Sequence, residues 1–360
     1  MGALALPGRS LAPCFFFFAV AFVALWGYNG QMKKIIASVF LLFAAGICFA
    51  QEEVGAEKKS RHNFTVFTDF AYYPKSAGAA SDGERFAPMT GPYDGLQFAV
   101  TAAYDYTLPM PGSTAITKDN NIKLGAEFQI SPATLKPRIF MSYSPAAFLV
   151  FDGGITLGTG WEFLGSQGMA SYNPASGKYE DMTPFRNSFY EFDLGATFQF
   201  DAAALWPGDW HHIVFMSTYR FRYSGMTNQA DGHPWCWAAD YHKVNGPNYY
   251  VNMILGYQMP LKLSLFGLQA EFDGFYSDSQ FAPQFRSIDG DFCRINLTPL
   301  VVFSLSKKDT LFVLFYFERR RGFDTERGVV NGRDQSDFEM RCSGGEWCFK
   351  RLAFRYIHEF

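Results

Sequence analysis

The segment Tyr190-Glu191-Phe192-Asp193-Leu194-Gly195-Ala196-Thr197-Phe198-Gln199-Phe200 decides the fold. Its apolar residues sit at every second position, so an extended backbone puts Tyr190, Phe192, Leu194, Ala196, Phe198 and Phe200 on one face. Glu191, Asp193, Thr197 and Gln199 fall on the other. The pattern is that of a strand with an apolar medium on one side and a polar one on the other. It recurs in Tyr249–Gln258, in Leu96–Tyr106 against Gln97, Thr101 and Asp105, and in Ile122–Ile130 against Lys123, Glu127 and Gln129.

From His62 onward the alternation predicts about twelve strands, near 62–73, 95–107, 121–131, 137–144, 147–163, 188–201, 210–224, 248–259, 262–276, 291–305, 309–319 and 347–360. Short links (Ser144–Ala147, Met259–Lys262, Ser306–Asp309) alternate with long ones (74–94, 164–187, 225–247, 320–346). An even strand count with tight turns at one end and long loops at the other is the layout of a closed antiparallel transmembrane β-barrel. Two links fit less well: 108–120 is long for a turn and 132–136 short for a loop, so ten to fourteen strands are compatible with the sequence.

Composition agrees. Of 360 residues, 18% are aromatic, with 40 Phe, and only 18% are charged against roughly 25% in an average soluble domain. After Ala50 no apolar run approaches the ~18 residues of a membrane helix, which excludes a polytopic helical protein. The aromatic content excludes disorder, and a net charge of −3 provides no basic field for nucleic acid. A secreted β-sandwich also alternates, but it has no need of Tyr at both ends of its outward faces. Tyr72, Tyr104, Tyr106, Tyr190, Tyr219, Tyr223, Tyr257 and Tyr276 are placed as interfacial girdles would be.

Met32-Lys33-Lys34, the apolar run Ile35–Ile47 and Cys48-Phe49-Ala50 have the layout of a cleavable export signal. The expected organisation is therefore an over-extended start or dispensable leader at 1–31, a signal peptide at 32–50 cleaved after Ala50, a periplasmic segment at 51–61 and a barrel at 62–360. The alternative at the N-terminus is a genuine double-hydrophobic anchor. Residues 1–50 hold three basic and no acidic residues, which leaves the mature chain with 28 basic and 34 acidic, a charge of −6.

The last strand carries the most specific local signal. Leu352, Phe354, Tyr356 and Phe360 occupy alternate positions ending on the final residue, broken by His358. This resembles the terminal signature of bacterial outer-membrane β-barrel proteins. The resemblance covers the last nine residues closely and the rest in pattern, and identifies no particular family within that group. It implies an outer-membrane location, outer-membrane lipid as surroundings, and assembly machinery and periplasmic chaperones as partners.

With the apolar face outward, the lumen-lining candidates are Asp69, Glu127, Arg138, Glu191, Asp193, Arg220, Arg222, Glu271, Asp273, Arg294, Arg351 and Arg355, joined by Asp105, Lys123, Asp152, Glu162 and Glu318. Both signs are present. Either these charges neutralise one another around a narrow interior, or they form a transverse field that selects small polar solutes. A symmetric turn at 201–210 would set Glu191 opposite Arg220 and Asp193 opposite Thr218.

Four cysteines follow the signal: Cys236, Cys293, Cys342 and Cys348. A Cys342–Cys348 clamp is expected in the last loop, and a Cys236–Cys293 bridge is a weaker expectation. Trp235, Trp237, Tyr241 and Arg319-Arg320-Arg321, followed by Asp324, Glu326 and Arg327, offer loop anchors for a host or matrix ligand, while the Arg cluster could equally meet lipid. Asp209-Trp210-His211-His212 reads as interfacial, because adjacent His on a strand point apart. No catalytic set, cofactor or metal is expected. The sequence points to a passive pore or small-solute transporter, the alternative being a closed barrel that displays its loops for adhesion or binding.

Overall fold

A computed structural model describes residues 61–76, 86–112, 114, 116, 117, 120–323, 329, 330, 333, 334 and 341–360. The leader, the signal peptide and all but the last residue of the 51–61 segment lie outside the described residues, as do Asp324, Glu326 and Arg327.

Twelve antiparallel strands close into a barrel. They are β1 (His62–Ser76), β2 (Met89–Pro109), β3 (Asn121–Ile130), β4 (Thr134–Ala146), β5 (Leu149–Gly160), β6 (Phe189–Asp201), β7 (His212–Met226), β8 (Gly246–Gln258), β9 (Leu263–Phe275), β10 (Arg294–Ser304), β11 (Asp309–Phe323) and β12 (Cys342–Glu359). The seam pairs β1 with β12, from Thr65 opposite Glu359 to Tyr72 opposite Leu352. The terminal residue belongs to it: the Phe360 N–H donates to Phe64 O at 3.0 Å and the two rings lie 5.0 Å apart.

Alternation puts large apolar side chains on the outside. Leu124, Ile139, Met141, Ile155, Leu157, Leu194, Leu255, Phe266 and Leu268 are all exposed there. Each would contribute about 1.5–3 kcal/mol on passing from water to an apolar phase. Tyrosines mark both rims as expected: Tyr190 stacks on Tyr223 and Tyr219 reaches Tyr276 toward the long-loop end, while Tyr104 meets His62 and Tyr257 holds Trp210 O at the short-turn end. Pro299 lies within β10, and the β10–β11 ladder is interrupted between Leu297 and Leu300, where proline has no N–H to give.

One register differs from expectation. Glu191 faces Ser224, Asp193 faces Arg222 and Gly195 faces Arg220, a shift of four in the summed positions. The turn is not symmetric, because a short 3-10 helix, Ala202–Ala204, is capped by the Asp201 carboxylate and lengthens one side. Asp201 also binds His212 Nδ1 at 2.6 Å and His211 meets Trp206 O, so the two histidines serve the turn.

The long loops fold together. Residues 161–188 and 227–245 build one four-stranded sheet, in the order Asp240–Lys243, Trp235–Trp237, Met169–Asn173, Lys178–Asp181. Two apolar clusters hold it. Met169, Phe189, Met226, Trp235 and Trp237 form one; Tyr172, Val244, Phe275, Phe281, Phe285 and Ile288 form the other, drawing on the 3-10 helices of residues 276–293. Trp237 lies over Gly158 of β5, where a Cβ would come within 2.5 Å of the indole, and His242 packs on Phe323 of β11 at 4.9 Å. In a ring of twelve, β5 and β11 stand opposite, so this sheet is a cap laid across the mouth.

Candidate functional site

Beneath the cap the inward positions form two ionic groups. On β3 to β7, Arg138 reaches Glu127 at 3.9 Å and Asp193 at 3.0 Å, and Arg220 bridges Asp193 to Asp152, the latter at 2.6 Å. The register explains the meeting: Arg220 faces Gly195, where a Cβ would sit 2.7 Å from the Asp152 carboxylate, so glycine leaves the space in which the pair forms. Glu191 stands apart, accepting from Ser224 Oγ at 3.1 Å.

The second group joins β8 to β12 with the cap. Arg294 binds Asp273 at 2.8 Å and the cap's Asp240 at 2.8 Å, and Lys243 also holds Asp240. Burial alone would raise the Asp240 carboxyl, but Arg294 and Lys243 outweigh it and hold the group well below the usual carboxylate range. Asp240 is placed by a two-residue turn in which Ala238 and Ala239 both take positive φ, 51° and 60°. L-residues pay about 1 kcal/mol or more each in that region, a cost borne by the packing that fixes the cap. Glu318 binds Lys350 at 2.6 Å, and Glu271 accepts from the Tyr250 hydroxyl.

Lys350 was not among the candidates, and a bulge explains why it belongs. Phe317 pairs with Phe349 and Tyr316 with Arg351, which leaves Lys350 as the extra residue. Lys350 and Arg351 therefore both turn inward while Phe349 and Leu352 stay outside. The break in alternation at Phe349-Lys350-Arg351-Leu352 is the signal that could have revealed it. Arg355 pairs with Asp69 at 2.6 Å, apart from both groups. Arg222 lies over the Tyr250 ring at 5.0 Å, and Arg351 over Tyr316 at 4.3 Å. The arginines thus do not form a single wall: Arg138 and Arg220 share one side, Arg294 and Arg351 another.

The second group, not the first, borders a cavity of about 210 Å³ lined by Arg222, Asp240, Lys243, Tyr250, Glu271, Asp273, Arg294, Asn296, Tyr316, Lys350 and Arg351. Nearly every group facing it is polar, and the roof is the cap.

Several expectations are corrected. Glu162 lies in a loop hairpin, not the lumen, and accepts the Gly165 N–H. All four described cysteines are free thiols. Cys342 and Cys348 lie on one extended strand, six residues and so ~20 Å apart, where a disulfide needs Cα atoms within ~6.8 Å. The Cys236–Cys293 bridge is likewise not formed, with Cys236 buried in the cap. Trp235 and Trp237 are buried core of the cap rather than exposed anchors, while Tyr241 remains exposed. Arg319 and Arg321 pack on Phe292 and donate to backbone carbonyls at Cys293, Asp289 and Gly290, and Arg320 binds Glu346 at 2.7 Å. They tie loop to wall and are not turned toward lipid. Among the described residues no group of three or more His, Cys, Asp or Glu is placed to hold a metal.

No family model and no curated protein matches the chain. Among solved structures it is similar to the beta domain of the Bordetella autotransporter BrkA, with 12% identity over 83% of this chain and 99% of that one, and a TM-score of 0.40. It is also similar to the KdgM porin solved with disordered oligogalacturonate (7%; 83% and 98%; 0.33) and to a mutant TodX monoaromatic hydrocarbon channel (10%; 84% and 91%; 0.33).

Proposed function

We propose that the chain is a bacterial outer-membrane β-barrel that passes small polar solutes passively through a mixed-charge lumen. The observation that carries this reading is the opposition of its two surfaces. Leu, Ile, Phe and Met crowd the outside of a closed ring with no strand edge, while ion pairs and hydroxyls fill the inside around a polar cavity. Only an apolar surrounding makes the first favourable, and only water or a polar solute suits the second. Export through the 32–50 signal with cleavage after Ala50, outer-membrane lipid at the apolar belt, and delivery of the Leu352–Phe360 end by periplasmic chaperones to the assembly machinery belong to this reading.

A second reading is favoured by the cap. Its apolar clusters and its span from β5 to β11 suit a closed barrel whose loops, Tyr241 among them, meet a host or matrix ligand. Liposome swelling separates the two: vesicles holding the purified chain swell in isosmotic small sugars and amino acids if it is a pore. An absence of swelling, with protein shown to be inserted and folded, favours the closed barrel.

A further inference from the structure

Around the cavity the cations of the described residues outnumber the carboxylates by one: Arg222, Lys243, Arg294, Lys350 and Arg351 against Asp240, Glu271, Asp273 and the neighbouring Glu318. Lys243 and Arg294 are matched by Asp240 and Asp273, and Lys350 by Glu318. Arg222 and Arg351 have no carboxylate partner among the described residues. Arg222 donates to Tyr249 O at 3.3 Å, and Arg351 to Tyr73 Oη and Gln97 Oε1 at 2.8 and 3.0 Å. Each therefore rests on neutral acceptors and on the face of a tyrosine ring; of the two positive charges Glu271, bound to the Tyr250 hydroxyl, offsets one.

A second observation points the same way. The Nε–H groups of Arg222 and Arg351 are both buried and meet no acceptor in the described protein. Buried donors are nearly always satisfied, so these two mark guanidinium groups whose hydrogen-bonding capacity the protein leaves unfilled, and a guanidinium is shaped for the two oxygens of a carboxylate. Arg351 faces inward in phase with the alternation of Leu352–Phe360, and the bulge at Lys350 sets a second cation beside it.

We infer that the cavity is a binding site for a small carboxylate anion held between Arg222 and Arg351. Its volume of about 210 Å³ admits a four-carbon dicarboxylate. Two guanidinium groups at separate places on the wall suit an anion with a carboxylate at each end. The inference deepens the pore reading, on which it rests for its biological sense, by naming the solute class the lumen would favour. The tyrosines, Tyr250 and Tyr316, set the guanidinium planes and make the wall rigid.

The test is calorimetric titration of sodium succinate into the detergent-folded full chain at constant ionic strength, with liposome swelling in a neutral sugar run in parallel. Saturable one-to-one binding is expected, weakened at least tenfold by Arg222→Gln or Arg351→Gln, partly retained by Arg351→Lys, and unchanged by Lys308→Gln on the β10–β11 turn. Circular dichroism confirms folding, and Arg351→Lys is the informative variant if the glutamine form does not fold. The inference is overturned if succinate shows no saturable binding, if the Arg222→Gln/Arg351→Gln double variant binds it equally, if uncharged butane-1,4-diol binds as well, or if inorganic phosphate binds and succinate does not. Swelling without succinate binding removes the site and leaves the pore. Succinate binding without swelling leaves the site and removes the pore.

Discussion

The Trp237 indole lies flat on the Phe189 ring, centroids 4.5 Å apart and planes 13° from parallel, over the hollow that Gly158 leaves in the β5 wall. Phe189 is the first residue of β6 and sits opposite Gly158 in the ladder. A loop side chain is thereby keyed to the barrel, and this contact fixes one side of the cap while His242 on Phe323 fixes the other.

Removing the key should loosen the cap. Trp237→Ala deletes a buried aromatic, a change that costs about 3–5 kcal/mol in a well-packed core, borne by the cap more than by the hydrogen-bonded ring. Single-channel recording in planar bilayers is expected to show higher or more frequent conductance for Trp237→Ala than for the native chain. Gly158→Leu should act alike by filling the hollow. Unchanged conductance in both would show that the cap does not restrict the mouth.

Asp193 binds two arginines and is 2% exposed. Asp193→Asn would leave Arg138 and Arg220 with only Glu127 and Asp152, and breaking a buried pair from one side costs about 3–5 kcal/mol. The midpoint of urea unfolding in lipid should fall accordingly. Asp69→Asn breaks a pair in which Arg355 is half exposed, where exposed pairs are worth about 0.2–1 kcal/mol, and should change the midpoint much less.

Acid should open the cap at its β11 side. Burial pushes the His242 imidazole down to about 3, with Arg321 adding in the same direction, from about 6.5 in an unfolded chain. Its neutral ring meets the Tyr179 hydroxyl at 2.9 Å. Because the folded value lies below the unfolded one, the stability contribution is complete above about pH 6.5 and is lost as pH falls from there toward 3. Asp240, held low by its cations, adds a further loss below the ordinary carboxylate range. Proteolysis of residues 227–245 in folded protein should accelerate between pH 6.5 and 4, and His242→Gln should flatten that dependence. The same acceleration in His242→Gln would assign the effect elsewhere.

The thiols should remain apart. Burial raises the Cys236 thiol well above its ordinary value, and both Cys236 and Cys348 are buried. Under native conditions a bulky maleimide is expected to label Cys293 and Cys342 ahead of those two, and all four on unfolding. Mass spectrometry that finds a Cys342–Cys348 disulfide in folded protein would contradict the extended course of β12.

How much of this was legible depended on whether the information was local. The face of β6 is written in every second residue from Tyr190 to Phe200, and all twelve strands lie where alternation runs, although β2 begins at Met89 and β12 at Cys342, well before the 95 and 347 that the alternation marks. The β6–β7 pairing was not legible, because the lengthening of its turn rests on a cap made by Asp201 to its own backbone. The loop cap was hidden for a different reason. Trp235 and Trp237 stand in a stretch too short to show a period, and their burial comes from Met169 and Phe189, 46 or more residues earlier in the chain. Aromatic density in loops that should be polar was the available hint. At Lys350 the hint was sharper, since two charges between Phe349 and Leu352 cannot both follow a period of two.

The opposition of an apolar outside and a polar inside is tested most directly on β6. Spin labels placed singly at positions 192–199 of the chain in lipid vesicles report collisions with oxygen, which partitions into bilayer, and with a water-soluble nickel chelate. The expected result is a period of two, with oxygen favoured at Phe192, Leu194 and Phe198, which are exposed on the outside, and the chelate favoured relative to oxygen at Thr197 and Gln199. Uniform accessibility along the strand, or water at Leu194 and Phe198, would contradict a membrane-spanning barrel.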